Sequence, residues 1–411
     1  MIVWDGILQA YGDRALFVYD DGVVHYRDFI EMVRASTGTP VDPDRALPCQ
    51  LEWRASAFAD FLSQVGSGQS LVLEGSRDPV DISGFPSGRP LMILRSGGTT
   101  GAPKHVVHSF QTLTAPYTLQ KRGPHRILVL YAPNHIAGLD AFFQALHRGS
   151  TLVVPAGGDV ASVGRAVETH GVDVLPATPT YLQFLLLGGI YEQFDLSGIR
   201  VIPHGAEPMP ANLRKRLQEA FPNAVLLHRF GLTETGALPV RPDPDDPDAF
   251  FLDQPGYGWR LVDGEIHILG KTPFLGTLEG GPIPEGEYWH PTGDLGELTR
   301  TGSMRILGRR EFMINVGGQK VFPETVEALL MNQPGVLDAS VSGEASALTG
   351  QTVAARVVLG KGMDTRQLLR GLRQEASARG LSLAHVPTRI TAVQSIQKTV
   401  TGKRSRIQGK A

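Results

Sequence analysis

Residues 94–108 read LRSGGTTGAPKHVVH and directly follow an apolar, strand-like run at residues 91–94. Glycines have no Cβ, so a glycine-rich backbone bends sharply and presents its N–H groups to an anion, and hydroxyl and ammonium groups add further donors. The stretch supplies all of these groups through Ser96, Gly97, Gly98, Thr99, Thr100, Gly101 and Lys104. It has neither the G-x-x-x-x-G-K-[ST] order of a P-loop nor the G-x-G-x-x-G order of a dinucleotide-binding turn. The pattern predicts a phosphate-binding loop, because a flexible surface turn does not need this placement of hydroxyls and lysine.

The bulk composition indicates a soluble enzyme of more than one domain. The chain has 411 residues, of which 42% are hydrophobic, and this is too long for one compact core. Its 39 basic and 41 acidic residues give a formal charge of −2, so we expect neither a nucleic acid nor a membrane as a partner. A single cysteine, Cys49, excludes an internal disulfide and a CxxC-type zinc site. No basic leader precedes an early apolar run, and the apolar runs are too short to cross a bilayer, so we expect a cytoplasmic location.

Short apolar runs alternate with amphipathic segments between about residues 70 and 230. The strand-like runs are residues 71–73, 91–94, 127–130, 151–154, 172–175, 200–203 and 225–227. Helix-like segments such as residues 139–147 and 179–187 lie between them. Short buried strands separated by helices are typical of parallel α/β layers.

The second half of the chain changes character twice. After residue 239, Pro, Gly and Asp turns surround short strands, and an Asp263-Gly264 hairpin turn predicts a small antiparallel β unit. After Gly308, helix-like residues 323–331 and 365–379 flank two strand-like segments. This second pattern predicts a compact α+β module at the end of the chain.

The phosphate-binding loop resembles the [ST]-[SG]-G-[ST]-T-G-x-P-K signature of the adenylate-forming superfamily, which includes acyl- and aryl-CoA synthetases, peptide-synthetase adenylation domains and luciferases. Further stretches agree with this family in its own order: FGLTE at residues 230–234, YWHPTGDL at 288–295, GRREFMINVGGQKVFPETVE at 308–327 and KTVTGK at 398–403. The resemblance runs from about residue 91 to the end, and the first 90 residues match only loosely. In motif style the chain is most similar to the acyl-CoA ligases.

The resemblance implies an α/β fold in two domains. A large amino-terminal domain, residues 1–308, would contain layered α/β subdomains and the small antiparallel β unit. A small mobile α+β domain, residues 309–411, would carry the catalytic lysine. Since only about 90 residues precede the phosphate-binding loop, we expect an abridged amino-terminal subdomain, with a turn-rich join at residues 40–48.

The resemblance also implies an ATP site. The loop from Ser96 to Lys104 would hold the β- and γ-phosphates, and Phe230 would stack on adenine without the hydroxyl of the family's usual tyrosine. Asp294 would accept the ribose hydroxyls, with Arg309 as a second ribose or phosphate contact. The residues assigned to the nucleotide are Ser96, Gly97, Gly98, Thr99, Thr100, Gly101, Lys104, Gly205, Ala206, Glu207, Phe230, Gly231, Asp294 and Arg309.

Catalytic roles are implied for Lys403, Thr233, Glu234 and His135. Lys403 would bridge the incoming carboxylate and the α-phosphate as a positioned charge, whereas judged alone it is an ordinary lysine in a basic tail. Glu234 would bind Mg²⁺, beside Thr233 at the α-phosphate. Taken without the other motifs, the same Gly-Leu-Thr-Glu-Thr-Gly segment is also consistent with the turn that starts a helix.

The acid and the thiol would use other positions. His135 would gate the acyl pocket against the thiol tunnel, and Asp140 is either a pocket carboxylate or an aspartate on a helix surface. Glu311 stands at the family's hinge position. Gly317 and Gly318 would line the thiol tunnel, although two glycines in sequence also suit a left-handed turn.

Together these features predict an ATP-dependent ligase that converts a small carboxylic acid into an acyl-adenylate and then into a thioester. The expected cofactors are ATP, Mg²⁺ and CoA, with the phosphopantetheine of an acyl carrier protein as the alternative acceptor. An alternative of another class is a non-catalytic nucleotide-binding protein derived from such a ligase. The absence of a G-x-S-x-G elbow argues against a nucleophilic hydrolase.

Overall fold

Three sheet systems and a set of covering helices make up the part of the chain before Gly308 in the computed structural model. The structure describes residues 4–36, 41–74, 76–96, 104–120, 123–270, 274–360 and 364–396. The helices among the described residues before Gly308 are Trp4–Tyr11, Tyr26–Ala35, Ala55–Gly66, Phe110–Thr114, Ile136–Arg148, Val160–His170, Pro179–Leu187, Ile190–Gln193 and Ala211–Ala220.

The first sheet is mixed and holds the strands on either side of the predicted phosphate-binding loop. In spatial order its strands are Gly281–Pro282, Gly276–Thr277, His105–Ser109, Leu91–Arg95, Ser70–Val72, Arg45–Pro48 and Val80–Asp81. Leu91–Arg95 is parallel to Ser70–Val72 but antiparallel to His105–Ser109. The loop at residues 96–104 therefore joins two neighbouring antiparallel strands.

The second sheet system is mostly parallel and carries the next site elements. Its strands are Gly22–His25, Ala15–Tyr19, Thr151–Val153, Arg126–Leu128, Val201–Gly205, Val225–Leu232 and Gly236–Leu238. Single bridges from Val174 to Ile127 and to Val201 connect its two halves. The prediction of parallel α/β layers is confirmed for the central strands of this system, whereas the first sheet is mixed.

The third and fourth sheets follow the predicted changes in the chain. The third is antiparallel, with strands Arg241–Asp243, Asp246–Phe251, Met304–Arg309, His290–Leu298, Glu265–Leu269 and Gly258–Val262. The fourth contains Gln319–Val321, Ile314–Val316, Gly350–Leu359, Val336–Ser346 and Arg389–Ala392. Helices Pro323–Met331 and Thr365–Ala378 and the 3₁₀ turns Arg310–Phe312 and Leu383–His385 accompany it. The α+β module after Gly308 is thus confirmed.

The largest hydrophobic core ties the amino-terminal segment to helix Ile136–Arg148. Phe17, Phe29, Phe58 and Phe142 are completely buried, and the rings of Phe58 and Phe142 stack with centroids 4.1 Å apart. Truncating such a phenylalanine to alanine typically costs about 3 to 5 kcal/mol. The described residues between 4 and 66 are therefore part of the framework that holds this helix beside the site.

Two local predictions are wrong. Residues 172–175 lie between two strands and make backbone hydrogen bonds to both, but only Val174 forms bridges, so the segment is not a regular strand. Residues 40–48 are not a turn-rich join throughout, because Arg45–Pro48 is a strand that pairs with Ser70–Val72 and Val80–Asp81. Strand Arg45–Pro48 escapes a prediction from composition because so short a strand is decided by its pairing with neighbouring strands, which local composition does not record.

Candidate functional site

A cavity of about 1560 Å³ lies at the carboxyl ends of strands Val201–Gly205 and Val225–Leu232. Such ends are the usual position of ligand sites in α/β sheets. Most of the predicted site residues lie on its wall: Ser96, Lys104, His135, Asp140, Gly205, Ala206, Glu207, Phe230, Gly231, Thr233, Glu234, Asp294, Arg309 and Glu311. Gly97, Gly98, Thr99, Thr100, Gly101 and Lys403 lie outside the described residues.

The predicted phosphate-binding loop begins and ends at this wall. Strands Leu91–Arg95 and His105–Ser109 pair in register up to Arg95 and His105. Just beyond them, the backbone N–H of Ser96 donates to the carbonyl of Lys104 at 2.8 Å. The two ends of the loop are therefore fixed side by side, next to the cavity.

Thr233 and Glu234 lie in the hairpin turn between strands Val225–Leu232 and Gly236–Leu238. The alternative of a helix start is wrong at this position. The N–H of Leu232 donates to the hydroxyl of Thr235 at 3.2 Å, which closes the turn. Glu234 is half-buried and lines the cavity.

His108 supports this turn from the first sheet, and the sequence gives no sign of it. Its side chain is 1% exposed, and its Nε2 lies 2.8 Å from the carbonyl oxygen of Thr233. Burial lowers the pKa of His108 to about 4, against the smaller opposite effect of this hydrogen bond. The imidazole is thus neutral at pH 7, and because a carbonyl only accepts, its Nε2–H donates.

The predicted adenine-binding segments flank one end of the cavity. Phe230 packs against Phe250 with ring centroids 5.1 Å apart. A Cβ at Gly205 would lie 2.2 Å from the carbonyl oxygen of Arg229, so only glycine fits this close approach of the two strands. Glu207 accepts hydrogen bonds from the N–H and the hydroxyl of Thr180 at 3.1 and 2.6 Å. Its carboxylate is therefore held at the start of helix Pro179–Leu187.

Asp294 and Arg309 are paired with each other across the third sheet. They are register partners on adjacent strands, and Arg309 Nε lies 2.8 Å from Asp294 Oδ1. Arg309 Nη1 also donates to the carbonyl of Thr292 at 3.1 Å. Asp294 is only 7% exposed, so the ion pair fixes the position of its carboxylate at the cavity wall.

A half-buried histidine, His290, lies beside this pair. Burial, with smaller contributions from the nearby His267, Lys104 and Arg309, lowers the pKa of His290 to about 4. His290 lines the cavity as well. It is therefore neutral at pH 7 and adds no charge beside Lys104 and Arg309.

The other side of the cavity is formed by helix Ile136–Arg148. His135 is the residue directly before this helix and lines the cavity. Asp140 accepts hydrogen bonds from the hydroxyl of Tyr117 and from Gln144 Nε2, both at 2.7 Å. Of the two alternatives for Asp140, the structure supports a hydrogen-bonded carboxylate on the cavity wall. Burial, together with Asp140, raises the pKa of Tyr117 well above its usual value, so the phenol stays protonated.

Glu311 and the glycine pair occupy different places in the carboxyl-terminal part. Glu311 lies in the 3₁₀ turn Arg310–Phe312, which borders the cavity and is tied to the third sheet by the pairing of Arg310 Nε with Glu265 Oε2 at 3.2 Å. Gly317 and Gly318 form the turn of a hairpin, with φ of +58° and +88°. Neither glycine is on the cavity wall, and their φ values are those of the left-handed turn that the sequence left open.

The family models match nearly the whole chain. The model described as AMP-binding enzyme matches residues 7–287, and the model described as AMP-binding enzyme C-terminal domain matches residues 325–403. The chain therefore belongs to the AMP-binding enzyme family. The match begins at residue 7, so the family relationship extends well before residue 91, where the sequence motifs first show it.

Curated relatives share between a quarter and a third of the aligned residues. The 3-[(3aS,4S,7aS)-7a-methyl-1,5-dioxo-octahydro-1H-inden-4-yl]propanoyl:CoA ligase of Mycobacterium tuberculosis is 30% identical over 334 residues, which are 77% of this chain and 65% of that protein. The 2-succinylbenzoate–CoA ligase of Bacillus subtilis is 28% identical over 305 residues, which are 67% of this chain and 60% of that protein. The chain spans less than two thirds of the length of both relatives.

Solved structures confirm the fold. An anthranilate CoA ligase in complex with anthranoyl-AMP superposes with a TM-score of 0.81 at 18% identity, over 98% of this chain and 95% of that one. The o-succinylbenzoate CoA synthetase of Bacillus subtilis in complex with its acyl-adenylate superposes with a TM-score of 0.77 at 19% identity, over 99% and 97% of the two chains. The predicted α/β fold, with a large first part and a small α+β second part, is thus shown.

The described residues contain neither a membrane-spanning helix nor a cluster of metal-binding side chains. No described helix is long and apolar enough to cross a membrane. No cluster of three or more His, Cys, Asp or Glu side chains that would hold a metal ion by themselves occurs in the described ranges.

Proposed function

We propose that the chain is an AMP-forming acid–thiol ligase, which joins a carboxylic acid to the α-phosphate of ATP and then transfers the acyl group to CoA. The observation that carries this proposal is the meeting of Phe230, Glu234, the Asp294–Arg309 pair and Lys104 on the wall of one cavity, in a member of the AMP-binding enzyme family. The names of the relatives, which are CoA ligases, support the same activity.

The proposed nucleotide position follows from the chemistry of each wall. Phe230 offers a ring face for adenine, opposite the segment that begins at Gly205. Asp294 offers carboxylate oxygens that would accept two ribose hydroxyls, while the ion pair with Arg309 holds that carboxylate in place. The loop closed by Ser96 and Lys104 then lies where the β- and γ-phosphates would reach it.

The adenylation step brings two anions together, so it requires positive charge around the α-phosphate. Lys104 and Arg309 supply cations on the described wall. Lys403 is proposed as the cation that contacts the incoming carboxylate and the α-phosphate at the moment of transfer. His135, at the start of helix Ile136–Arg148, is proposed to separate the acid from the route of the thiol.

Glu234 fits a site for Mg²⁺ that arrives with ATP. It provides a single half-buried carboxylate, and Mg²⁺ in nucleotide sites prefers one or two carboxylates with phosphate oxygens and water. The ion would neutralise phosphate charge when it is bound. The His108 hydrogen bond to the carbonyl of Thr233 holds the turn that positions this carboxylate.

The proposed thioester step uses the second domain. Residues 1–308 would form the adenylation domain and residues 309–411 the mobile domain, with Glu311 as the hinge residue. A rotation there would bring Gly317 and Gly318, which lie away from the cavity wall in this conformation, to the route of the thiol.

Acid-dependent exchange of pyrophosphate into ATP tests the first step, with a panel of carboxylic acids. We expect at least one acid to stimulate exchange in the presence of Mg²⁺. Adding CoA, or in separate reactions a carrier protein that bears phosphopantetheine, then identifies the thiol acceptor by thioester formation. Failure of every acid to support exchange, with ATP binding intact, would instead favour the non-catalytic nucleotide-binding alternative.

A further inference from the structure

Strand Val225–Leu232 separates two sides of the cavity. Successive side chains on a strand point to opposite faces. His228 and Phe230 point toward Phe250, with ring centroids 5.7 and 5.1 Å from it. Arg229, between them, points the other way and acts on Tyr117, whose pKa its charge lowers against the larger raising effect of burial. Since Tyr117 donates to Asp140, Arg229 lies on the side of helix Ile136–Arg148.

Arg229 differs from the other arginines of the wall. It lines the cavity, it is only partly exposed, and its side chain has no ion pair or hydrogen bond with any residue that the structure describes. Arg148, which also lacks an ion pair there, stands in the last turn of its helix, where a cation faces free carbonyl groups. The remaining arginines of the wall each pair with a carboxylate, in the pairs Arg305–Asp246, Arg309–Asp294 and Arg379–Glu375.

The acidic side chain that helix Ile136–Arg148 places on this side of the cavity, Asp140, already has two hydrogen-bond donors. Asp140 accepts from Tyr117 through one oxygen and from Gln144 through the other, both at 2.7 Å. It lies beyond ion-pair distance of Arg229, since no ion pair joins the two among the described residues. The guanidinium thus faces the cavity with its donors available.

Part of the wall next to Arg229 along the strand is apolar. Leu227 lies on the same face of the strand, two residues before it, and Pro203 is the register partner of Leu227. An acid that fills this side displaces the water around Arg229. A desolvated guanidinium without a partner is costly, whereas a carboxylate satisfies it with two parallel charge-assisted hydrogen bonds.

We propose that Arg229 binds a second carboxylate on the substrate, so that the chain activates dicarboxylic acids at the carboxylate remote from Arg229. The inference rests on the proposed function and specifies its substrate class. The substrate would have an apolar middle against Leu227 and Pro203. One carboxylate would be adenylated, and the other would remain free and charged at Arg229.

Matched pairs of acids test this inference in the pyrophosphate exchange assay. Each pair is a symmetrical dicarboxylic acid and its monomethyl ester, which keeps one free carboxylate and nearly the same shape but loses the second charge. For the wild-type chain we expect the best diacid to exceed its monoester in kcat/KM by about 100-fold, because only the ester leaves the guanidinium unpaired. Arg229→Leu should remove this preference by lowering kcat/KM for the diacid. Arg229→Lys should retain part of the preference, because it keeps a positive charge.

Arg200→Leu is the matched control, because Arg200 is an exposed arginine beside the same sheet and does not line the cavity. It should leave the diacid preference unchanged. A wild-type chain that uses diacids and monoesters equally, or an Arg229→Leu variant that loses both equally or mainly raises the KM for ATP, overturns the inference. If Arg229→Leu does not fold, the diacid preference is measured for Arg229→Gln instead and compared with that of the wild-type chain.

The same data separate this inference from the proposed function. Exchange with other monocarboxylic acids, but with no diacid advantage, would refute the role of Arg229 and leave the ligase proposal intact. Exchange with no acid of any class would refute both.

Discussion

Replacing His108 with glutamine tests whether a buried neutral imidazole holds the Thr233–Glu234 turn. His108 is 1% exposed, and its folded-state pKa of about 4 lies well below the 6.5 of a free histidine. Between these values the unfolded chain takes up a proton that the folded chain does not. The free energy of unfolding therefore has its full value, as far as His108 is concerned, above about pH 6.5. It decreases as the pH falls toward 4, because protonation then favours the unfolded chain.

The pKa shift of His108 sets how much the free energy of unfolding changes with pH. A shift of one pKa unit corresponds to about 1.4 kcal/mol, so the full contribution of His108 to the pH dependence is about 3 kcal/mol. Of this, about 2 kcal/mol falls between pH 7 and pH 4.5. Glutamine cannot be protonated, and its amide still offers a donor to the carbonyl of Thr233, so the variant should lose about 1 kcal/mol at pH 7.

The assay is urea unfolding followed by tryptophan fluorescence at pH 7 and pH 4.5. All 4 tryptophans precede residue 290, so the signal reports on the part of the chain that contains the site. The expected result is a variant that is less stable than the wild type at pH 7 and equal to it or more stable at pH 4.5. His25→Gln, a change at an exposed histidine, serves as the control and should lose as much stability as the wild type on acidification. Parallel losses in His108→Gln and the wild type would refute the argument.

Three further changes test the proposed roles of single residues. Lys403→Ala should lower acid-dependent exchange by about 10² to 10³ while leaving ATP binding within about tenfold, because a cation that acts on the transition state is lost; near-normal exchange would remove Lys403 from the first step. Glu234→Gln should raise the Mg²⁺ concentration required for half-maximal exchange, and an unchanged magnesium titration would contradict its role as a ligand. Gly318→Trp distinguishes a structural turn from a thiol tunnel. If Gly318 is only a turn residue, its φ of +88° predicts a loss of about 1 to 3 kcal/mol in stability and equal losses in both half-reactions. If it lines a thiol tunnel, pyrophosphate exchange should stay normal while thioester formation falls.

Much of the secondary structure was predictable where the sequence carries a local signal. Helix Pro179–Leu187 begins where Thr178 supplies the cap, by accepting from the N–H of Tyr181 at 3.2 Å, and where proline occupies the first turn. The Asp263-Gly264 hairpin was equally clear, and both residues adopt positive φ there. In each case the residues that determine the structure are neighbours in the chain.

The contacts that build the site were not predictable in this way. His108 and Thr233 are separated by 125 positions, and only the packing of two different sheets brings them together. The pairing of Asp294 with Arg309 depends on the register of two strands, so the sequence assigned each a separate role. Arg229 stands next to Phe230 in the chain, but that it has no ion-pair partner among the described residues becomes visible only when the cavity wall is known.

The alternation along strand Val225–Leu232 has a consequence for how this site can change over evolutionary time. Odd-numbered positions such as Leu227 and Arg229 face one compartment, and even-numbered positions such as His228 and Phe230 face the other. A mutation at an odd position therefore alters one compartment without moving the rings on the far side of the strand. Under the proposed assignment, a descendant can acquire a new acid preference by single substitutions and keep its ability to bind ATP throughout, so no inactive intermediate has to be crossed.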